Sequence, residues 1–412
     1  MIRQLRSTFS EGFLKFLKNL ATFSILFGIA KIFSIIIQVS AGRILGSYEY
    51  GKFSYVLSLS SIFLTFISFG IHTTIVKYVS ENERKDDVFL TIIYKTIPIT
   101  LFLSIIILFF SEEISKILKI GEKYIFASMF FAILLYTQAT FRSLFMGYYK
   151  YKTIGILEIL FLVSALIFFI ILLKYSGSTV YSILFAYIFA YLLYITLAFK
   201  YFFSIIKKPK ILPEISKNIL NFSFFAYITN ISAVWFGNIE RVLLQRYFNL
   251  STVGVFQAYY YSTITLVQLI NTIFVTVYLP EISKRDRKSV ATKINEVSKR
   301  IPVIFPAFSL ISLAVVYAYG YGIDIKLLLI FLAASFLLFY FALYNPFLVS
   351  LKDIGIRYNF ILNITSSLAE IISNIILVPI YGIYGAAISI LISNVVKVFM
   401  SYYFSMKIVK YF

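Results

Sequence analysis

The sequence predicts an all-α polytopic membrane protein with twelve transmembrane helices in two six-helix lobes. Composition, the spacing of apolar segments and an internal duplication predict this class. Of the 412 residues, 60% are hydrophobic and 14% are charged, and no hydrophilic stretch is as long as a soluble domain. A chain of this composition is dissolved in a bilayer rather than anchored to its surface.

The apolar segments have the length that membrane crossing requires. About 20 apolar residues span the hydrocarbon core of a bilayer. Twelve segments meet or approach this length, and in order they are centred near Phe33, Ile62, Ile105, Leu134, Ile167, Ile188, Ile228, Leu266, Leu310, Phe336, Ile371 and Val395. The first segment is too long for a signal peptide and has no small-residue cleavage site, so we expect it to be the first span.

The basic residues predict the orientation of these spans. The net charge is +20, and 26 of the 38 Lys and Arg residues fall in the loops that share one side with the N-terminus. This positive-inside pattern predicts a multi-pass protein of the cytoplasmic membrane with both termini in the cytoplasm. We expect the basic loops to contact anionic lipid headgroups, not nucleic acid.

The loops and residue types argue against an enzyme. Every loop is a short connector, whereas membrane enzymes that transfer or polymerise glycans usually need a sizeable outer loop or an acidic metal-binding motif. His72 is the only histidine and the chain has no cysteine, which excludes His pairs, multi-His metal sites, disulfides and thiol nucleophiles. We therefore expect no enzymatic activity and no cofactor.

An internal duplication organises the chain. At a constant offset of 203 residues, Arg43, Gly51, Phe53, Ile67, Thr73 and Ser80 recur as Arg246, Gly254, Phe256, Ile270, Thr276 and Ser283. We expect an N-terminal lobe at residues 1–206, a cytoplasmic connector at 207–217 and a C-terminal lobe at 218–412. Parallel repeats of this kind place the substrate path between the two halves.

A polar stripe in the second span has a counterpart at the same offset. The first stripe comprises Ser54, Ser58, Ser61, Thr65, Ser68 and His72, and the polar residues of the second are Gln257, Tyr261, Gln268 and Asn271. Their spacing keeps each stripe on one face of a helix. Hydrocarbon offers no hydrogen-bond partners, so both faces must line protein or a water-filled lumen.

Lys31 is a candidate substrate-binding residue in the first span, where it shares a face with Ser34 and Gln38. A lysine near the bilayer centre costs roughly 3 kcal/mol on insertion scales and normally faces a partner or a cavity. The residue types allow two interpretations. Lys31 binds a diphosphate in the lumen, or it forms a structural pair with Glu370 or Glu158.

The other intramembrane charges also allow two interpretations each. Glu370 is a proton or sodium coupling site, or the structural partner of Lys397 on the neighbouring span. Glu240 and Arg241, near the outer end of the seventh span, form a gate or headgroup contact, or they anchor the helix at the interface. Glu158, like Arg142, lies near a cytoplasmic helix end, where an interfacial position is expected.

Several short motifs are similar to those of the polysaccharide and lipid-linked oligosaccharide flippases of the multidrug/oligosaccharidyl-lipid/polysaccharide (MOP) exporter superfamily. The turn Arg43–Gly46 with Glu49–Gly51 resembles this family's turn after the first span. The string from Pro379 to Ala387 resembles its turn between spans eleven and twelve and is the most specific match. The remaining motifs are Gly70–Thr73 with Val76–Ser80, Glu240–Leu244, Val253–Phe256 and Pro280–Ser283.

The resemblance implies a MATE-like fold and a flippase that moves a polyprenyl-diphosphate-linked oligosaccharide across the cytoplasmic membrane by alternating access. The implied partners are this glycolipid, membrane lipids and other polysaccharide-assembly membrane proteins, and we expect a monomer. One alternative is a small-molecule exporter of the same fold. Another, of a different class, is a membrane glycosyltransferase or polymerase.

Overall fold

A computed structural model of the chain describes residues 11–205, 210–234, 238–282, 294, 296–349 and 352–411. These ranges form helices and contain no strand. The helices are α1 (Glu11–Ser68), α2 (Ile71–Glu81), α3 (Lys85–Phe109), α4 (Ser111–Leu118), α5 (Glu122–Gly147), α6 (Tyr151–Ser176), α7 (Val180–Ile205), α8 (Pro213–Val234), α9 (Ile239–Tyr247), α10 (Leu250–Tyr260), a π-helix (Tyr261–Thr265), α11 (Leu266–Ile282), α12 (Ile301–Tyr319), α13 (Ile325–Val349), α14 (Lys352–Tyr381) and α15 (Ile383–Tyr411). The start of the predicted connector, 207–209, and the basic loop at 283–293 lie outside the described residues.

Helix α1 crosses the bilayer twice because it bends at Gly46. This glycine has φ 76° and ψ 168°, a backbone conformation that residues with a side chain rarely adopt. The bend divides α1 into a first arm before Gly46 and a second arm after it. A further break at Phe69 and Gly70, where φ is 44° and 70°, separates the second arm from α2.

The described helices make twelve crossings, as the sequence predicts. Nine of the described helices are long and apolar enough to span a bilayer. One of the nine is α1, whose two arms count as two crossings, so these nine helices supply ten crossings. The remaining two crossings each consist of more than one helix: α8 with α9, and α10 with the π-helix and α11. An even number of crossings brings both termini to one end of the bundle. We call this the terminal end, and the opposite end, which holds the turn at Gly46, the distal end.

Buried apolar residues join the helices within each lobe and also across the lobes. One cluster lies mostly within the N-terminal half, where it includes Phe145, Leu157 and Ala190, and it also takes in Ala258 and Tyr319 from the C-terminal half. Another runs from Tyr55 on the second arm of α1 to Phe331 on α13. The lobes therefore share a packed interface, while many apolar side chains remain exposed around the bundle for lipid.

The lobes also touch at the terminal end, through α2 and α8. The hydroxyls of Thr74 and Ser223 lie 2.8 Å apart. A Cβ added to Gly70 would lie 2.2 Å from the carbonyl oxygen of Ser223. Tyr78 donates from its hydroxyl to the carbonyl of Asn218 at 3.2 Å. This end of the interface is thus closed on the side formed by α2 and α8.

The most specific sequence motif forms the tight turn between α14 and α15. Gly382 has φ 57°, and a Cβ on Gly385 would lie 2.2 Å from the carbonyl oxygen of Leu377. Glycine adopts this left-handed conformation without the steric cost that a side chain adds, and only glycine permits the close approach at position 385. The two glycines of the motif therefore hold α14 and α15 together as a hairpin.

A carboxylate outside the spans ties three helices together at the distal end. Asp324 precedes α13 and accepts a hydrogen bond from the backbone N–H of Leu327 at 3.1 Å. Its carboxylate also accepts from the hydroxyl of Tyr384 on α15, and its own N–H donates to the Tyr259 hydroxyl of α10 at 2.6 Å. The hydrogen bond from Tyr384 lowers the pKa of Asp324 below its usual value of 3.8.

We expect Asp324→Asn to lower the free energy of unfolding at pH 7 by about 1 kcal/mol, because Asn retains the helix cap but its Nδ2 cannot accept the hydrogen bond from Tyr384. Because the folded-state pKa is the lower one, this stabilisation is present above pH 4 and disappears as the pH falls through that pKa. Thermal unfolding in detergent at pH 7 and pH 3 measures it. The exposed Glu113→Gln serves as the control, and a wild-type advantage at pH 3 as large as that at pH 7 would contradict the assignment.

Candidate functional site

A polar cavity of about 250 Å³ lies between the two lobes. Four segments line it: the two arms of α1 from the first half, and α9 and α10 from the second. The lining residues are Gln38, Phe53, Ser54, Leu57, Ser58, Ser61, Asn238, Arg241, Gln257 and Tyr260. The duplication is visible in this lining, because Ser54 and Leu57 correspond to Gln257 and Tyr260 at the offset of 203 residues.

The structure brings four of the predicted lumen residues to this cavity: Gln38, Ser58, Arg241 and Gln257. Gln38 is held by two tyrosines. Its Oε1 accepts from the Tyr50 hydroxyl at 2.8 Å, and its Nε2 donates to the Tyr187 hydroxyl at 3.3 Å. These contacts fix the amide at the edge of the cavity.

Ser54 and Ser61 of the first stripe also line the cavity, whereas four other residues of the predicted stripes lie outside its lining. Thr65 donates back to the carbonyl of Ser61 at 3.1 Å, which satisfies its hydroxyl within the helix. Tyr261 meets the Ser34 hydroxyl at 2.6 Å and joins the π-helix to the first arm of α1. Gln268 is exposed, and Asn271 donates to the carbonyl of Leu338 at 2.9 Å. None of these four is among the residues that line the described cavity.

Arg241 is the cation of the cavity lining. Its side chain is only 4% exposed, and its Nε donates to Gln257 Oε1 at 2.6 Å. The guanidinium lies 4.4 Å from the ring centre of Tyr260 and 5.3 Å from that of Phe256. Aromatic faces stabilise a desolvated cation. One donor, Nη1, is buried and has no hydrogen-bond partner among the described residues.

A cluster of opposite charges continues from Arg241 into the C-terminal lobe. Glu240 is fully buried and accepts from the Asn374 amide at 3.1 Å. The carboxyl of Glu370 lies beside that of Glu240, and Lys397 interacts electrostatically with both carboxyls. Two acidic and two basic side chains thus cancel in formal charge, which limits the cost of burying them. The cluster connects the lumen to α14 and α15.

A second cluster lies inside the N-terminal lobe and contains Lys31. Its partners are Glu158 of α6 and Arg142 of α5, and Arg142 Nη1 lies 3.8 Å from Glu158 Oε1. The Lys31 ammonium is 4.9 Å from the ring centre of Phe27. The residues that line the described cavity do not include Lys31. Of the two acidic partners considered from the sequence, the structure places Glu158 beside it.

Sequence reasoning missed four cavity residues: the apolar Phe53 and Leu57, and the polar Asn238 and Tyr260. Tyr260 follows Gln257 by three positions, so it could have been found by extending the polar stripe to an aromatic neighbour. Asn238 stands at the start of α9, just after the interruption of the seventh span, and periodicity carries no signal at such a position.

Comparisons with known proteins agree with this architecture. Residues 16–285, more than half of the chain, match the family described as "Polysaccharide biosynthesis protein". No curated protein matches the sequence. Among solved structures, the lipid II flippase MurJ in an inward closed conformation has 19% identity and a TM-score of 0.69, covering 93% of this chain and 87% of that chain.

Two transporter structures are also similar. The MATE multidrug transporter DinF-BH in complex with R6G has 14% identity and a TM-score of 0.66, covering 95% of each chain. A MOP superfamily transporter from Pyrococcus furiosus, described as having a binding pocket of reverse polarity, has 16% identity and a TM-score of 0.58, covering 95% of this chain and 96% of that chain. At these identities the likeness concerns the fold, and the resemblance seen in the sequence motifs is confirmed. The chain therefore belongs to the Polysaccharide biosynthesis protein family, with the fold of MOP superfamily transporters.

Proposed function

We propose that this protein flips a polyprenyl-diphosphate-linked oligosaccharide from the inner to the outer leaflet of the cytoplasmic membrane. The observation that carries the proposal is Arg241, a buried guanidinium in the lining of a polar cavity between two related lobes, with one donor that has no hydrogen-bond partner among the described residues. Guanidinium groups bind phosphate oxygens with directed, charge-assisted hydrogen bonds. The Ser and Gln side chains around it supply hydrogen bonds for sugar hydroxyls.

Transport by this geometry requires the lobes to move. The cavity volume of about 250 Å³ is too small for an oligosaccharide, since pockets for drug-sized ligands already measure about 300–1,000 Å³. In the proposed cycle, the lobes at 1–206 and 218–412 rock about the connector at 207–217. The glycan and diphosphate cross through the lumen, while the polyprenyl chain remains in lipid.

The charge cluster behind Arg241 is the proposed link between the lumen and the C-terminal lobe. A bound diphosphate brings negative charge next to Arg241 and so changes the electrostatic balance at Glu240 and Glu370. Moving such an anion across a membrane potential changes the free energy by about 2.3 kcal/mol per charge per 100 mV. Coupling to an ion gradient would therefore affect the direction of transport strongly.

Exchange of Glu370 and Lys397 tests whether this pair is structural. We expect Glu370→Lys and Lys397→Glu each to lower the yield of folded protein, because an unpaired buried charge costs about 3–5 kcal/mol. The double exchange restores opposite charges and should recover both folded yield and transport. Size-exclusion chromatography and flipping rates measure the two effects. Recovery of folding without recovery of transport would instead assign Glu370 to ion coupling.

The proposed function is tested with purified protein in liposomes that carry a labelled polyprenyl-diphosphate oligosaccharide. The measurement is the rate at which label in the far leaflet becomes accessible to an added glycosidase. Acceleration by the protein supports flipping. No acceleration, with or without a proton or sodium gradient, would contradict it and favour the small-molecule exporter, for which changed drug sensitivity on deletion is the matching test. Product formation from a sugar donor would favour the glycosyltransferase.

A further inference from the structure

The two lobes touch backbone to backbone at the distal end, between the second arm of α1 and α10. A Cβ added to Gly51 would lie 1.8 Å from the carbonyl oxygen of Leu250. A Cβ added to Gly254 would lie 1.9 Å from the carbonyl oxygen of Ser47. No residue with a side chain fits at either glycine without moving the opposite helix. We call this contact the glycine seam.

The glycine seam is symmetric with respect to the duplication. Gly254 is the counterpart of Gly51 at the offset of 203 residues, and Leu250 is the counterpart of Ser47. Each half therefore presents its glycine to the equivalent carbonyl of the other half. The axis that relates the two lobes passes between the two glycines, which explains why a glycine recurs at this position of both repeats.

Tyrosines from the end of α12 extend the seam toward the first arm of α1. The Tyr321 hydroxyl donates to the carbonyl of Gly42 at 2.5 Å, and the Tyr319 hydroxyl lies 3.3 Å from that of Tyr50. The Tyr319 and Tyr50 rings pack with centroids 5.7 Å apart. These contacts again join the C-terminal half to the N-terminal half, at the same end of the bundle.

The polar cavity lies directly beneath these contacts. Ser54 and Ser58 follow Gly51 by one and two helical turns, and Gln257 follows Gly254 by one turn. Tyr50, within the tyrosine contacts, donates to Gln38 of the cavity lining. The glycine seam and the tyrosines therefore separate the cavity from the distal side.

We propose that the glycine seam and the Tyr50–Tyr319 contact are the distal gate of the transporter, closed in this structure. The seam is formed by backbone rather than by interdigitating side chains, so the two helices separate there without unpacking bulky groups. The close fit also excludes water and solutes while the gate is shut. Ligand leaves the cavity on the distal side only when Gly51 and Gly254 move apart.

The first test measures access to the cavity and needs no substrate. Because the chain has no cysteine, Ser58→Cys places a single reactive thiol in the lining. We expect Gly51→Ala in this background to raise the rate of labelling by a membrane-impermeant thiol reagent from the distal side by about tenfold or more, since the added methyl group destabilises the closed state. Gly254→Ala should act in the same way.

The matched control is Gly121→Ala. Gly121 also lies at the distal end, between α4 and α5, and its φ is −64°. A Cβ added to Gly121 would lie 3.9 Å from the nearest atom. Its substitution should leave the labelling rate unchanged. Unchanged labelling in folded Gly51→Ala and Gly254→Ala proteins would overturn the assignment of the gate.

A second test locks the gate and does not depend on tolerance of the glycine substitutions. Ser47→Cys with Leu250→Cys, joined by a short bis-methanethiosulfonate reagent, should abolish flipping, and cleavage of the resulting disulfides by a reductant should restore it. The control is the pair Asp86→Cys with Tyr148→Cys, which replaces a hydrogen bond within the N-terminal lobe. Cross-linking of this control pair should leave flipping intact. Full flipping by the cross-linked Ser47–Leu250 pair would overturn the proposal. If the uncross-linked protein flips no glycolipid, the proposed function fails, while the labelling result still decides the gate.

Discussion

Replacement of Arg241 by Ala is expected to lower the flipping rate of the diphosphate-linked glycan by about a hundredfold. Arg241 is buried in the cavity lining, and its Nη1 has no hydrogen-bond partner in the part of the chain that the structure describes. Truncation of one partner of a buried, hydrogen-bonded charge pair costs about 2–5 kcal/mol. Arg241→Lys should retain part of the rate, because it keeps the charge but loses the planar fork of donors.

Two further variants separate ligand binding from charge balance at this site. Arg241→Ala leaves two acidic side chains, Glu240 and Glu370, and one basic side chain, Lys397, in the charge cluster. Arg241→Ala combined with Glu240→Gln restores equal numbers of acidic and basic side chains. If Arg241 binds the diphosphate, the double variant remains inactive. Recovery of flipping in the double variant would contradict the ligand role. Arg246→Ala, which removes the same charge from α9 outside the cavity lining, should leave the rate unchanged.

Replacement of Lys31 by Ala is expected to lower the flipping rate by about ten- to a hundredfold while the folded protein remains abundant. The net formal charge of the cluster is +1, because it contains Lys31 and Arg142 but only one carboxylate, Glu158. Removal of Lys31 leaves Arg142 and Glu158 as a neutral pair, so the fold should tolerate it. Lys31 lies outside the lining of the described cavity, so this role requires the diphosphate to reach it after the lobes have moved. A charge-assisted hydrogen bond to a diphosphate is worth about 1.5–3 kcal/mol, which sets the expected loss.

The comparison with Glu158→Gln identifies the role of Lys31. That variant removes the carboxylate that neighbours both Lys31 and Arg142, and we expect it to lower the melting temperature and the folded yield. If Lys31 is purely structural, Lys31→Ala should lower the melting temperature and leave the flipping rate per folded molecule unchanged. This is the opposite of our expectation. The exposed Lys174→Ala controls for loss of a lysine from the same lobe.

Much of the lumen could be predicted from the sequence because helical spacing places polar residues on one face. Ser58 and Gln257, predicted from the two stripes, both line the cavity. The stripes do not say where along the helix the cavity lies. Thr65 satisfies its hydroxyl on the preceding turn, and Asn271 donates to α13, so the same periodicity continues beyond the cavity.

The partners of the intramembrane charges could not be predicted, since they lie far apart in the chain. Glu370 had Lys397 as its expected neighbour, but its position beside Glu240, 130 residues away, carried no sequence signal. Likewise, two acidic residues were available to Lys31, and helix packing placed Glu158 next to it. Amphipathic periodicity indicates which side of a helix is polar but not which helix it meets.

The sequence by itself determined the membrane class, the twelve crossings and the duplicated halves, because apolar length, helical period and a constant offset are properties of single segments. It also showed that a glycine recurs at 51 and 254. Only the tertiary structure decided that these two glycines meet, that Arg241 enters the cavity and that Glu240 joins Glu370. Contacts between distant segments depend on how whole helices pack, and the free energy of that packing is shared among many side chains on several helices.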